Sequence, residues 1–410
     1  MGVSTSISSR SEVKLAIEIF LFSLMVRILL SPIQGNTIDL STFASWFQNV
    51  AENGIHSLYE TWCDYPPFNA YIFWVLGSLA KHLSLFGTGA LIYVLKFPAN
   101  IFDMATSTLI YLFLRKRMDP KKSLYTASLY LFNPATIFNT SIWGQYDAIY
   151  TFFLVLSLIF VIDSKPRLSA AVYGVALLTK PQSIALAPLI IYLIYKKYGW
   201  ERFITSIFAM ASTVLILIMP FTWDDPVTFL FNIYSTGYTG YQYTTINAFN
   251  IWAFFGFWKP DAQSLGYLNY FIIGWVLFAG SAILAIFALH KRFKTPGDVS
   301  ILFSSFLLLF SFFMLLTRIH ERYLFPAISM LVMMFPFSEK MRPFLYILSF
   351  THLMNQAYVM YFLNLNEFIP DGDPLSLTLS LINSIMFIYV FGLAWRGLRP
   401  GSDESKIRLE

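Results

Sequence analysis

Along most of the chain, apolar runs of near-membrane length alternate with short polar breaks. A spanning helix needs about 20 mostly apolar residues. Segments that meet or approach this lie near 13–33, 68–86, 88–115, 121–139, 147–163, 167–180, 183–198, 203–221, 266–290, 299–317, 322–338, 342–363 and 375–396. The pattern predicts an all-α, polytopic transmembrane helix bundle of about 12–13 membrane segments. The shorter segments are expected to end in polar residues that line a cavity.

Two polar stretches break the alternation. Residues 34–67 form a first outer loop, in which Phe43, Trp46, Phe47 and Val50 recur at helical spacing. They follow Asp39, Ser41 and Thr42, residue types that cap helices. An amphipathic helix lying in the membrane interface is expected there. Residues 222–265 form a second large outer loop, rich in Tyr, Thr and Asn. Such a surface suits a sugar or a lipid headgroup, and equally an interfacial aromatic belt.

Charge gives the orientation. Basic clusters stand at Arg115–Arg117 with Lys121 and Lys122, at Lys165 with Arg167, and at Lys196 and Lys197 with Arg202. Further clusters stand at Lys291 and Arg292 with Lys294, at Lys340 with Arg342, and at Arg396 with Arg399. They fall in every second loop, so all can be cytoplasmic together. Residues 28–80 hold no Lys or Arg but include Asp39, Glu52, Glu60 and Asp64, and belong outside. An odd number of crossings must then separate residues 34–67 from Arg115. Because two apolar segments occupy that stretch, 68–86 is expected to cross only partly.

Composition supports this picture: 57% of residues are hydrophobic and 12% charged, about half the charge of a soluble domain. A single integral membrane domain over 1–400 is expected, with a polar cytoplasmic tail at 401–410, in a multi-pass protein of the cell (plasma) membrane. The net charge of +5 is explained by the cytoplasmic clusters and is no sign of nucleic acid. The single cysteine, Cys63, excludes an internal disulfide, a cysteine zinc cluster and a redox pair. The first apolar run is long for a cleaved leader and reads as a membrane helix.

With that orientation, the outer helix ends carry Asp39, Asp64-Tyr65-Pro66-Pro67, Trp143-Gly144-Gln145-Tyr146-Asp147, Lys180-Pro181-Gln182 and His320-Glu321-Arg322-Tyr323. Ionisable groups at membrane depth cost about 2.5–3.5 kcal/mol each on insertion scales, so they usually face a cavity or a partner. Lys180, Arg318, His320 and Arg322 have the donors to hold a phosphate. Asp39 or Asp64 can act as an ionised base. A sugar on a lipid phosphate carries its own leaving group, so cations and one base suffice for its transfer.

Blander roles exist for several of these residues. Lys180 can snorkel at a helix end, Asp147 can cap a helix, Trp143 can sit in an aromatic belt, and Pro66-Pro67 can shape a helix start. Lys96 and Asp103 lie two turns apart on one helix face and read as a structural ion relay before the alternative, that they mark a cavity. Asn139-Thr140-Ser141 is formally a glycosylation sequon, but lies too near the membrane to be one. No phosphate-binding glycine loop, Gly-x-Ser-x-Gly, His-Glu-x-x-His or Cys-x-x-Cys occurs.

In order, these motifs resemble the GT-C glycosyltransferases, in particular the prokaryotic group related to the second GPI mannosyltransferase. The resemblance covers roughly residues 14–340. It rests on the first-loop Asp39, on Trp-Gly-Gln-Tyr-Asp at 143–147, on Leu-Leu-Thr-Lys-Pro-Gln at 177–182, and on His-Glu-Arg-Tyr-Leu-Phe-Pro at 320–326. Asp-Tyr-Pro-Pro at 64–67 also looks like the dolichyl-phosphate-glucose-dependent glucosyltransferases. The resemblance implies an inverting hexosyltransferase, mannose before glucose, with a polyprenyl or dolichyl phosphate sugar as donor; no cofactor and no metal are expected. It implies Asp39 as base and Lys180, His320 and Arg322 as donor-phosphate ligands. It implies that Asp64, Tyr65, Trp143, Gln145, Asp147, Gln182 and Glu321 shape the sugar and acceptor pocket. The acceptor would be a glycolipid, a lipid-linked glycan or a protein. Leu40 stands where some GT-C branches carry a second acid, which weakens any metal requirement or protein-glycosylating role taken from those branches. The rival readings are a transporter or flippase for a lipid-linked sugar, which usually shows internal repeats, and a non-catalytic assembly subunit.

Overall fold

A computed structural model describes residues 2–292 and 297–396. Lys294, Arg399 and the expected tail at 401–410 lie outside them. The described residues form fifteen α-helices and a single hairpin of two short antiparallel strands, Ser264–Leu265 and Leu268–Asn269. The chain is an all-α polytopic membrane protein.

The helices are α1 (Gly2–Leu30), α2 (Thr37–Asn53), α3 (Phe68–His82), α4 (Leu91–Arg115), α5 (Pro120–Leu131), α6 (Pro134–Ile137), α7 (Asp147–Ile162) and α8 (Pro166–Leu177). They continue with α9 (Ala187–Ile218), α10 (Pro226–Thr239), α11 (Tyr270–Arg292), α12 (Asp298–Leu315), α13 (Phe325–Met334), α14 (Arg342–Asn364) and α15 (Pro374–Arg396). Among the described residues, five helical stretches are long and apolar enough to cross a membrane: 91–115, 181–218, 270–291, 298–315 and 374–396. The apolar α7 and α13 are shorter. Helices α12 and α13 form the centre, since every residue of Ser300–Leu315 and of Phe325–Met334 is buried.

Several expectations change in detail. The segment expected at 121–139 is broken after Leu131. Pro134 has no N–H to donate and pushes Asn133 to an extended ψ of 122°, as the residue before proline prefers. A π-helical turn follows over Phe138–Trp143 and stops at Gly144, whose φ of 88° suits glycine. The segments expected at 183–198 and 203–221 meet at Gly199, whose φ of 79° breaks the path of α9. The loop expected over 222–265 contains α10, capped by Asp225, whose side chain accepts from Thr228 N–H at 3.0 Å. Helix α3 has 15 residues, a rise of about 22 Å against a hydrocarbon core of about 30 Å.

Helix α2 is capped by Asn36, whose Oδ1 accepts from Asp39 N–H at 3.0 Å, and not by Asp39, Ser41 or Thr42. Its apolar stripe of Leu40, Phe43, Trp46, Phe47 and Val50 is buried. It faces protein rather than lipid: Phe43 stacks on Tyr146 at 4.5 Å, and Phe47 contacts Phe73 of α3 at 5.1 Å.

The ion relay between Lys96 and Asp103 does not form. Asp103 pairs at 2.5 Å with Arg27 of α1, whose Nη2 also donates to Leu131 O. Lys96 donates to three carbonyls, those of Ile33, Ser141 and Ile142, at 2.6, 3.0 and 2.6 Å. Each group finds a partner on a different element, because burial of either charge alone is too costly.

The two ends of the bundle differ in charge chemistry. Helix α7 runs from Asp147 to Ile162. At its far end, Lys116 meets Asp163 at 2.7 Å, Arg117 meets Asp298 at 2.6 Å, and Lys197 donates to Ile162 O. Loops expected on one side of the membrane thus converge there.

Removing one partner of a buried pair typically costs about 3–5 kcal/mol, because the other charge is stranded. Asp103→Leu is therefore expected to lower the apparent melting temperature in detergent. The double variant Arg27→Leu/Asp103→Leu should recover most of that loss. Equal melting of the single and double variants would show that the pair is not what stabilises the junction of α1, α4 and α5.

Candidate functional site

The near end of α7 is where the remaining polar motifs meet. Asp39 lies in the first turn of α2, and the Asn36 cap leaves its carboxylate free of the helix terminus. Asp39 Oδ2 accepts from Trp143 Nε1 at 2.8 Å and from Gln145 Nε2 at 2.7 Å. Trp143 is buried, so it is no belt residue. Two close approaches fix this geometry. A Cβ on Gly35 would strike the carbonyl oxygen of Trp143, and one on Gly144 would lie 3.0 Å from the Lys96 side chain. The Lys96 ammonium staples the carbonyls on both sides of that contact.

Asp147 opens α7 and is fully buried. Its Oδ1 accepts from Lys180 Nζ at 2.8 Å. Its Oδ2 accepts from Asn139 Nδ2 at 3.4 Å and lies 3.8 Å from Arg322 Nε. Asn139 also donates to Gln356 Oε1 at 2.9 Å, so the formal sequon is a buried support for Asp147. Arg322 Nη1 donates to Glu321 Oε1 at 2.7 Å and lies 3.3 Å from His320 Nδ1. Among the described residues, Arg322 Nε is buried without a hydrogen-bond partner, and Lys180 Nζ donates to Asp147 with three N–H donors in all, which leaves both cations able to bind a ligand.

Burial sets the protonation pattern. It pushes Lys180 down, with Asp147 pulling it back up. It pushes His320 well below its ordinary value, reinforced by the charges of Arg322 and Lys180. It pushes Asp64 and Glu321 up, opposed chiefly by Arg322 in the case of Glu321. Burial also works against the charge of Arg322, but Glu321, Tyr323, Asp147 and Asp39 hold it well above its ordinary range.

Beside these groups opens a cavity of about 790 Å³. Its polar end is formed by Asp64, Tyr65, Lys180, Gln182, His320 and Arg322. Its walls are apolar, with Leu177, Val214, Leu230, Phe231, Trp275 and Phe312 among them. Two motifs are stitched together at its rim: Phe68 N–H donates to Leu178 O at 2.9 Å, and Asn69 Nδ2 donates to Thr179 O at 2.7 Å. Tyr65 OH lies 3.5 Å from Gln145 Oε1, linking the cavity to the Asp39 cluster. Gln182 Oε1 is buried without a partner among the described residues.

Arg318 lies on the cavity wall, but its guanidinium is already engaged. It binds Asp261 through Nε at 2.7 Å and Nη2 at 3.3 Å, and it covers the rings of Tyr238 and Phe271. The same loop crosses His320: Ile246 N–H donates to Ile319 O, and Tyr241 packs on the His320 ring at 5.2 Å. Burial raises the Tyr241 phenol, with Asp64 adding to the effect. Sequence reasoning missed Asn36, Asn69, Tyr241 and Gln356, and read Asn139 only as part of a formal sequon. Asn36 had a local signal, an Asn just ahead of a helical run; Asn69, Tyr241 and Gln356 meet partners remote in sequence.

An all-helical membrane bundle with cations at the head of an apolar cavity is the class of protein that fold and site define. Residues 64–223 match the family model described as dolichyl-phosphate-mannose-protein mannosyltransferase, a likeness to GT-C enzymes that covers less than half of the chain. The matched part includes Asp64, Trp143, Gln145, Asp147, Lys180 and Gln182, and leaves out Asp39 and Arg318–Arg322. None of the curated proteins compared with the chain matches it.

The neutral His320 makes a pH prediction. Its folded pKa lies below its unfolded value of about 6.5, so the unfolded chain takes up the proton first. Its contribution to stability is therefore complete above about pH 6.5 and is lost as pH falls toward the folded pKa. The melting-temperature difference between wild type and His320→Gln should be flat above pH 7 and shrink on acidification. A flat difference down to pH 4.5 would refute a buried, neutral His320.

Proposed function

We propose that this protein is an inverting glycosyltransferase that moves a hexose from a polyprenyl or dolichyl phosphate to a glycolipid, lipid-linked glycan or protein acceptor. The observation that carries the reading is the cavity itself: an apolar chamber of about 790 Å³ ends at Lys180, His320 and Arg322. That is the shape of a lipid tail ending in a phosphate. The similarity of residues 64–223 to a mannosyltransferase family favours mannose over glucose. The site lies at the end of the bundle away from the paired basic loops, which supports an extracytoplasmic face in the plasma membrane.

The chemistry follows from the geometry. An acceptor hydroxyl oxygen attacks the anomeric carbon from the face opposite the phosphate. The C–O bond to phosphate breaks, and configuration inverts. The hydroxyl proton passes to Asp39. Trp143 and Gln145 both bind Oδ2, so Oδ1 is the oxygen left to receive it. The departing polyprenyl phosphate gains negative charge, which Lys180 and Arg322 stabilise from a site of low dielectric. Neutral His320 adds a hydrogen bond. Asp147 pairs with Lys180 and lies near Arg322, and Asp64, which lines the cavity, would bind sugar hydroxyls.

Purified protein should transfer mannose from a polyprenyl-phosphate-mannose donor. Asp39→Asn should lower kcat by about 10²- to 10⁴-fold, the usual scale of a general base, with donor KM little changed. Lys180→Met should mainly raise donor KM. Full activity of Asp39→Asn would remove the base assignment. Solute uptake into liposomes without transfer from any lipid donor would favour the transporter reading.

A further inference from the structure

A second aromatic surface lies outside the residues that line the cavity. The cavity wall includes Tyr241 but not Tyr243, Trp258, Phe368 or Asp39. Outside it, the Tyr243 and Trp258 rings lie 5.2 Å apart, and the Trp258 and Phe368 rings 5.3 Å apart. The run is open: Trp258 is half-buried, and Phe368 is 66% exposed.

The fold holds Trp258 in place at a conformational cost. Trp258 and Asn247 both adopt left-handed backbone conformations, with φ of 55° and 64°. Neither is glycine, and such conformations persist only where surrounding contacts over-determine them. Here Trp258 Nε1 donates to Asn247 Oδ1 at 2.9 Å, Trp258 N–H donates to Thr245 O, and Asn355 Nδ2 donates to Asn247 O at 2.8 Å. A ring held this way is presented, not merely packed.

Two links connect it to the groups assigned above. Asn247 is bridged to His320 through the backbone. Trp258 also packs against the cluster that contains Trp143, whose indole binds Asp39. The aromatic run is thus tied by backbone to a proposed phosphate ligand and by packing to the partner of the proposed base. Its edge is polar: Lys259 and Asp371 pair at 3.5 Å, both exposed, and Asp371 Oδ1 accepts from Phe257 N–H.

We propose that Tyr243, Trp258 and Phe368 form an acceptor subsite for a pyranose ring, with Lys259 and Asp371 at its edge to bind ring hydroxyls. This rests on the glycosyl-transfer reading and names the acceptor class as a glycan. The apolar C–H face of a sugar matches an aromatic face, whose quadrupole is negative. Its equatorial hydroxyls need donors and acceptors at the rim. A hydrocarbon chain would gain from the rings but would desolvate the Lys259–Asp371 pair.

The test is equilibrium binding to the full chain in detergent micelles, with linear mannotriose and maltotriose as probes and tryptophan fluorescence as readout. At least one probe should give a saturable change. Phe368→Ala, a surface substitution, should weaken that binding about fivefold, the size of one aromatic contact. Trp258→Leu should weaken it further, and Trp258→Phe should retain most of it. In turnover, Phe368→Ala should raise acceptor KM and leave donor KM unchanged. The absence of a saturable change with either probe, or binding unaltered in the variants, would overturn the proposal. So would quenching of Trp258 by brominated phosphatidylcholine vesicles, which would put the rings in lipid. Ring-dependent binding without transfer from any lipid donor would leave the subsite standing and remove the glycosyltransferase reading. Transfer with acceptor KM unchanged by the variants would do the reverse.

Discussion

The arrangement of the site depends on one buried carboxylate. Asp147 is fully enclosed, and a lone charge there would be expensive to keep. It is kept because Lys180, Asn139 and the guanidinium of Arg322 converge on its two oxygens. Those partners come from the α8–α9 junction, from the π-helical turn and from the segment after α12. One carboxylate therefore ties together three separate parts of the chain. It also determines where two cations stand at the head of the cavity. Neither cation is consumed by the pairing: Lys180 directs one hydrogen bond at Asp147, and Arg322 stands 3.8 Å from it, so both keep further N–H donors.

A similar economy governs the neighbouring cluster. Asp39 on α2 and the Trp143–Gln145 turn meet because the segment before α2 can press directly on the backbone of Ile142 and Trp143. Gly35 permits that approach, and Lys96 satisfies the carbonyls that the approach would otherwise bury. A larger residue at 35 would strike backbone, which cannot give way as a flexible side chain can. The base candidate and the cation cluster are thus two separately supported clusters, linked through Tyr65, whose OH lies 3.5 Å from Gln145 Oε1.

Much of the chain was legible from local pattern. Helices α4, α7, α11, α12, α14 and α15 fall within a few residues of the apolar runs that predict them. Length and hydropathy are local properties, so local reading suffices. A boundary was legible at Gly199, where two apolar runs part, but the break at Asn133-Pro134 inside 121–139 went unread. The amphipathic stripe of α2 was legible, but its partner was not. Periodicity shows that a face is apolar and cannot show whether lipid or Phe73 and Tyr146 cover it.

By itself, the sequence determined the all-helical membrane class, the alternation of basic loops and the types of residue available for phosphate and proton chemistry. Only the tertiary structure decided which of these groups are partners. It gave Arg27 to Asp103, separated Lys96 from it, and bound Arg318 to Asp261 on the cavity wall. It brought Asp39 to Trp143 across 104 positions of the chain. The physical reason is that a buried charge is assigned by proximity in space and by competition among all available partners. No window of sequence contains that competition, since the contenders lie on helices that meet only when the bundle closes.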